Sequence, residues 1–223
     1  MSEGARTGAA FAPWLRRYGQ TLKYALHVIV RPFDGFWDLS REKKGSIAAA
    51  NTLILLALVT RILKLQYTSF QFLIVHWETL NVAREALSIL VPLLIYCVSN
   101  WCWTTLFDGK GSFKDVYMSM GYCLTPYILL QLPMILLSNV LTIKEGAFYS
   151  VLAMLSLIWC AALFLVAMMQ VHDFTPGKTV LFTIMSLFGM LVIIFLLLLF
   201  FSLLSDAIGY FVALYREIMF RMY

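Results

Sequence analysis

The sequence predicts an all-α integral membrane protein: a five-helix transmembrane bundle with an N-terminal amphipathic interfacial helix. Three observations carry this reading. Of 223 residues, 61% are hydrophobic and only 13% charged, against about 45–50% and about 25% in soluble domains. The apolar residues gather in five runs, each long enough for the roughly 20 helical residues that cross a hydrocarbon core. Two of the polar turns between them hold glycine or proline, at Asp108–Asp115 and His172–Lys178. Three parts follow: a basic, amphipathic N-terminal segment over 1–44, a membrane domain over 45–204, and a short amphipathic tail over 205–223.

The first part begins with a small, polar stretch to residue 13, read as a mobile tail. On a helix from Trp14 to Val30, Trp14, Leu15, Tyr18, Leu22, Ala25, Leu26 and Ile29 share one side. Arg16, Gln20, Lys23 and His27 share the other. Such a helix lies in the membrane surface or caps the ends of the spans, and the pattern admits both. Pro32 and Gly35 are read as helix breakers. Phe33, Phe36 and Trp37 are read as headgroup-depth anchors.

The first span is Gly45–Leu65. Its small start, Ser46 and Ala48 to Ala50, suits close helix packing. Arg61 lies about 24 Å along at 1.5 Å per residue, where it and Lys64 can snorkel to headgroups. Gln66–Glu85 reads as a long loop with a membrane-resting patch around Phe70 and Phe72. The second span, Ala86–Phe107, carries Pro92 and Asn100. The third, Val116–Ser138, carries Pro126, Gln131 and Pro133, and its two prolines on one face bend it. The fourth is Tyr149–Val171. The fifth, Thr179–Leu204, has Gly189 as its one small break.

Charge sets the expected orientation. The net charge is +5, and eight of the 17 Lys and Arg precede residue 45. Beside a span, such a cluster answers to orientation and to anionic lipid headgroups rather than to nucleic acid. With five spans, eleven of the 17 cations fall on the side of the N-terminus. The N-terminus is therefore expected in the cytoplasm and the C-terminus outside. The first long apolar run starts near Ser46, too far along for a cleavable signal peptide. Asn51, Asn81, Asn100 and Asn139 lack the glycosylation pattern.

Chemistry is sparse. Cys97, Cys102, Cys123 and Cys160 all lie in spans without metal-ligand spacing and read as small packers. His27 stands alone, and His76, Glu78 and Glu85 have no tight spacing, so no metal or other cofactor is expected. The five spans hold no Asp, Glu or His, so no acid, base or activated nucleophile is legible there. Proton- or ion-coupled transport would show an ionisable residue at depth. Asn51, Asn100 and Gln131 are the neutral candidates for polar lining, and neutral amides more often join helices. Pro92, Pro126 and Pro133 keep an uncoupled lipid or solute path open. The glycine spacing of Asp108-Gly109-Lys110 and Asp173…Gly177-Lys178 does not fit a phosphate-binding P-loop.

Several pieces, in order, resemble the Yip-one domain family of five-span membrane proteins. They are Arg31-Pro32-Phe33-Asp34-Gly35-Phe36-Trp37, then Gly109…Gly111-Ser112-Phe113-Lys114-Asp115, then Gly121-Tyr122-Cys123-Leu124-Thr125-Pro126, and His172…Gly177-Lys178. The resemblance spans roughly residues 30–205. Its eukaryotic branch is associated with Rab-type GTPases and traffic between the endoplasmic reticulum and Golgi. The short basic front end is more like the bacterial branch, whose genes often lie near sugar-uptake genes, and implies the bacterial cell membrane.

The function expected is a membrane scaffold or adaptor without catalysis. An uncoupled transporter, or an accessory subunit of a sugar transport system, is the alternative. Contact with headgroups, or with a membrane or cytoplasmic protein, falls to Arg16, Arg17, Lys23, Arg31, Lys43, Lys44, Lys110 and Lys114. For each of them plain positive-inside topology is an equal reading. Oligomerisation is open. Pro92, Asn100, Pro126, Gln131 and Pro133 are expected to bend or pack helices.

Overall fold

In hydrocarbon a backbone N–H finds no water, so an apolar run satisfies its amides along its own axis and folds as a helix. The computed structural model describes residues 18–72, 81–107 and 109–222. Two short helices come first, α1 (residues 18–30) and α2 (Pro32–Arg41). Then follow α3 (Ile47–Tyr67), α4 (Val82–Leu106), α5 (Phe113–Cys123) and α6 (Thr125–Ser138). A 3-10 turn, Ile143–Glu145, leads into α7 (Gly146–His172) and α8 (Pro176–Met222). Among the described residues five helical stretches are long and apolar enough to cross a membrane, with α5 and α6 together forming one. The chain is a five-span, all-α membrane protein.

Helix starts follow side-chain chemistry. Ser46 caps α3, its hydroxyl accepting the Ala49 N–H at 3.4 Å. Asn81 caps α4 in the same way, through the Ala83 N–H at 2.9 Å. Ser112 and Asp115 form a reciprocal capping box at the start of α5. α4 therefore begins ahead of the expected Ala86. Glu85 lies in its first turn and pairs with Arg61 of α3 at 3.3 Å, rather than in a solvated loop. His76 and Glu78 lie outside the described residues.

Four sequence expectations change. Pro32 starts α2 instead of breaking a helix, as proline does at a first helical position, and Gly35 sits buried inside that helix. Phe36 is core, fully buried, whereas Phe33 and Trp37 stay exposed. The bend in the third span falls at Leu124, between α5 and Pro126 in the first turn of α6. α6 continues past Pro133 to Ser138, so this proline does not end the helix. Finally, residues 205–222 continue α8 as one helix. At 1.5 Å per residue α8 is about 70 Å long, more than twice the roughly 30 Å hydrocarbon thickness.

α1 packs onto the bundle. Ala25 and Val28 are buried, Gln20, Lys23 and His27 are exposed, and Leu26 turns outward too. The Tyr122 hydroxyl of α5 donates to the Thr21 carbonyl at 3.1 Å, and Tyr18 bonds Thr52 of α3. Of the two sequence readings, α1 thus at least caps the span ends. The core lies among α3, α5 and α7, where Ala49, Ala50, Leu53, Val116, Tyr122, Ala167 and Met168 are buried.

Small residues let α3 and α5 cross closely. A Cβ on Gly121 would stand 2.8 Å from the Ala50 Cβ and 2.9 Å from its Cα. A backbone cannot yield as a flexible side chain can, so the α3–α5 spacing depends on this glycine. Gly121→Leu is expected to destabilise the bundle by about 1–3 kcal/mol, the usual cost of overpacking. Gly19→Ala, at a helical position open to space, should be neutral to stabilising, by at most about 1 kcal/mol, when both variants are compared in detergent unfolding.

Candidate functional site

One end of the bundle gathers the polar chemistry. α7 closes there with Asp173 in a left-handed conformation, φ 60° and ψ 41°. This aims its carboxylate at two other segments. Lys110, in the turn between α4 and α5, approaches Asp173 Oδ2 at 2.7 Å, and Arg41 at the end of α2 lies 3.8 Å away. The hydrogen bond from Lys110, and its charge, hold the Asp173 carboxyl below the ordinary carboxylate range. The N-terminal helices and both turns named in the sequence therefore meet at one end. The opposite end is tied by Asn139, whose amide donates to the Tyr67 carbonyl at 3.0 Å, and by Phe72 stacked on Tyr149 at 5.0 Å.

Beneath the ion cluster lies a buried network. The His172 Nε2 stands 2.9 Å from Asn100 Oδ1. Asn100 Nδ2 donates to the Ser186 hydroxyl at 3.1 Å and to the Tyr96 hydroxyl at 3.2 Å. Both amide hydrogens are thus placed, Oδ1 faces the ring, and Nε2 carries the ring proton. Asn100 joins α4 to both α7 and α8. His172 Nδ1 is buried with no hydrogen-bond partner among the described residues. Gly109 and Gly111 lie against this ring. A Cβ on Gly109 would stand 3.1 Å from Nδ1, and one on Gly111 would stand 2.8 Å from Cε1. Both glycines are needed for the turn to lie flat there.

The hydroxyls of this network are committed. Ser186 donates to the Phe182 carbonyl at 2.7 Å, Ser99 to the Ser186 carbonyl at 2.6 Å, and Thr104 to the Asn100 carbonyl at 2.8 Å. None is presented to a base. Among the described residues no three His, Cys, Asp or Glu side chains gather as a metal site would require. The arrangement fastens helices.

A second feature lies alongside, a cleft of about 580 Å³ between α1 and the α2–α3 turn, lined by Tyr18, Thr21, Tyr24, Lys43, Lys44 and Ser46 among others. Lys44 Nζ contacts Asp38 Oδ2 at 2.7 Å and Glu42 Oε2 at 2.6 Å. The Tyr24 hydroxyl donates to the same Asp38 oxygen at 3.1 Å. The Lys44 hydrogen bond, aided by Tyr24, holds the Asp38 carboxyl below its ordinary range despite partial burial. Asp38 in turn raises Lys44. Burial first, then Asp38, raises Tyr24.

The cationic residues named from sequence do not form one patch. Lys43 and Lys44 line the cleft. Lys110 is bound to Asp173. Lys23, Arg31 and Lys114 are separately exposed on α1, before α2 and on α5. Arg16 and Arg17 lie outside the described residues. Among the packing residues, Asn100 and Gln131 are buried, and Gln131 donates to Ser156 of α7 at 2.9 Å. Pro126 is buried, while Pro92 and Pro133 are exposed. Sequence reasoning named His172 and Asp173 only as parts of a turn and of a family piece, and it assigned no role to Asp38 or Tyr24. A clue to His172 was Asn100 itself, since an amide in an apolar span needs a partner.

Five apolar spans, tied by buried amides and closed by ion pairs at one end, define a polytopic α-helical membrane protein. Residues 26–199 match the Yip1 domain, and the chain belongs to that family. The match runs from α1 into α8 and takes in every segment of the network and the ion cluster. Curated proteins and solved structures gave no match to the chain.

Two outcomes test this end. Asn100→Ala leaves His172, Ser186 and Tyr96 without their shared partner, and is expected to cost about 1–2 kcal/mol in detergent unfolding. Asn51→Ala, removing an exposed bond to Tyr117, should cost under about 0.5 kcal/mol. Asp38 gives a pH signature. Its folded pKa is depressed, so its contribution is present above the unfolded value of about 3.9 and is lost as pH falls through the folded value. Thermal midpoints measured down to about pH 2 should show this acid-side loss in the parent and lack that component in Asp38→Asn.

Proposed function

We propose that this protein is a non-catalytic membrane scaffold or adaptor that holds a partner protein at the end of the bundle carrying Asp173. The observation that carries this reading is the set of hydrogen bonds that Asn100 makes across three helices. Its amide, the His172 Nε2 and the hydroxyls of Ser186 and Ser99 are joined to one another or to backbone across α4, α7 and α8, an arrangement that supports rigidity. The same end displays Lys114 on the first turn of α5, exposed and without an ion pair among the described residues. This end faces the cytoplasm in our reading, since eleven of the 17 cations fall on its side. The C-terminus then lies outside, in a bacterial cell membrane.

The alternative, an uncoupled lipid or solute path, draws on the break at Leu124. Thr125 and Pro126 beside that break are buried, which favours a seated helix over an open one. A membrane-impermeant amine crosslinker decides between them. Applied to inverted vesicles, it should recover a partner through Lys110 and Lys114, and the yield should fall in a K110R/K114R variant. Reaction of these lysines only in right-side-out vesicles reverses the orientation. No partner, together with solute flux in proteoliposomes, replaces the adaptor with the transporter.

A further inference from the structure

We propose that the last part of α8, residues 206–222, is a surface anchor. It lies along the membrane face opposite the Asp173 end, with its apolar side in the boundary between headgroups and acyl chains. The anchor sits at the other end of the molecule from the adaptor surface and is independent of it.

Length places the tail beyond the span. No Asp, Glu, Lys, Arg or His lies between Lys178 and Asp206. At 1.5 Å per residue these two sit about 42 Å apart along α8, close to the roughly 40–45 Å of a bilayer with its headgroups. Lys178 and Asp206 therefore mark the two surfaces. The same helix runs on to Met222, about 24 Å past Asp206. An upright tail would carry its side chains out into water.

Those side chains are unsuited to water. Ile208, Phe211, Val212, Tyr215, Ile218 and Met219 share one broad side of the helix at helical spacing. They are 37–66% exposed, so no described part of the bundle covers them. Ser205, Asp206, Gly209, Ala213, Arg216 and Glu217 share the other side. This division is that of a helix lying in a membrane surface. The attachment decides what covers the apolar side, since Asp206 holds the start of the tail at headgroup depth. A second copy fits less well. A two-stranded coil is guided by charges flanking a narrow seam. Here the flanks are Val212 and Met219 on one side and Ala207 and Leu214 on the other, which broadens the apolar side instead. Glu217 pairs with Arg221 inside the helix, at 2.9 Å.

Lying down requires a bend, and the start of the tail permits one. Ser205 and Gly209 fall on the water side, which is the convex side of such a bend. A Cβ on Gly209 would meet nothing within 4 Å. On a convex side carbonyls tilt out toward water and their hydrogen bonds lengthen, and Gly/Ser pairs are common sites of kinks. The tail can bend there and stay helical.

Hydroxyl-radical footprinting of the full chain in proteoliposomes, read by mass spectrometry, tests the anchor with two matched pairs. Tyr210 and Phe220 lie on the water side, Tyr215 and Phe211 on the apolar side. Tyr210 and Tyr215 are 66% and 64% exposed in the protein alone, so only an added surface separates them. Tyr215 should be oxidised at least about ten-fold more slowly than Tyr210, and Phe211 than Phe220, the preference of a large apolar side chain for burial. Phe211→Asp combined with Ile218→Asp should raise Tyr215 to the rate of Tyr210, and Ala213→Asp should change neither. All three positions are exposed, so both variants should keep the thermal midpoint of the parent. Equal rates within each pair of the parent overturn the anchor, because the tail then stands in water. Protection that survives the two aspartates overturns it as well. Protection that fades as the lipid-to-protein ratio rises overturns it in favour of a second copy.

Discussion

In a bilayer, apolar side chains gain nothing by leaving lipid for one another, so helices must be held by shape and by polar ties. Asn100 is the tie on which the outer part of this bundle depends. α4 packs mainly on α8, and these two helices lie beside the core of α3, α5 and α7. The Asn100 amide reaches Ser186 of α8 and the His172 ring of α7 at once. A neutral amide suits this place. It offers two donors and an acceptor, and it carries no charge to desolvate.

Shape supplies the rest. Where α3 crosses α5, Gly121 faces Ala50; where α4 meets α8, Gly189 faces Ser99 and Trp103. The first brings two backbones together, and the second leaves room for the Ser99 and Trp103 side chains against α8. Ser99 illustrates the coupling. Its hydroxyl reaches the Ser186 carbonyl at 2.6 Å, next to the glycine that allows the approach. The polar end of the bundle is built differently. Exposed ion pairs such as Lys110–Asp173 are individually weak in water. Here they fix the relation of α2, the α4–α5 turn and the end of α7, while the buried network beneath fixes the helices themselves. The adaptor reading rests on that rigidity.

The cleft shows why the candidate site was only half legible. Lys43 and Lys44 stand side by side in the sequence and read alike. Their environments differ because Asp38 lies one helical turn back on α2 and reaches Lys44 alone. Lys110 reads as an exposed cation, yet it is bound to Asp173, sixty-three residues away. Charge counting cannot see such pairings, since they arise from the meeting of separate helices.

Hydropathy determined the five spans by itself, because helix formation in lipid is a local answer to backbone hydrogen bonding. The family segments were also legible, and each has a local reason. Ser112 and Asp115 cap a helix, Pro126 starts one, and Gly121 removes a side chain from a crossing. Helix ends were less so. Pro32 could stop or start a helix, and nothing in the sequence stops α8 at Leu204. Only the tertiary structure decided which cations are free, where α1 docks, and that His172 belongs to the core. Those outcomes depend on contacts between residues far apart in the chain, and no local pattern encodes them.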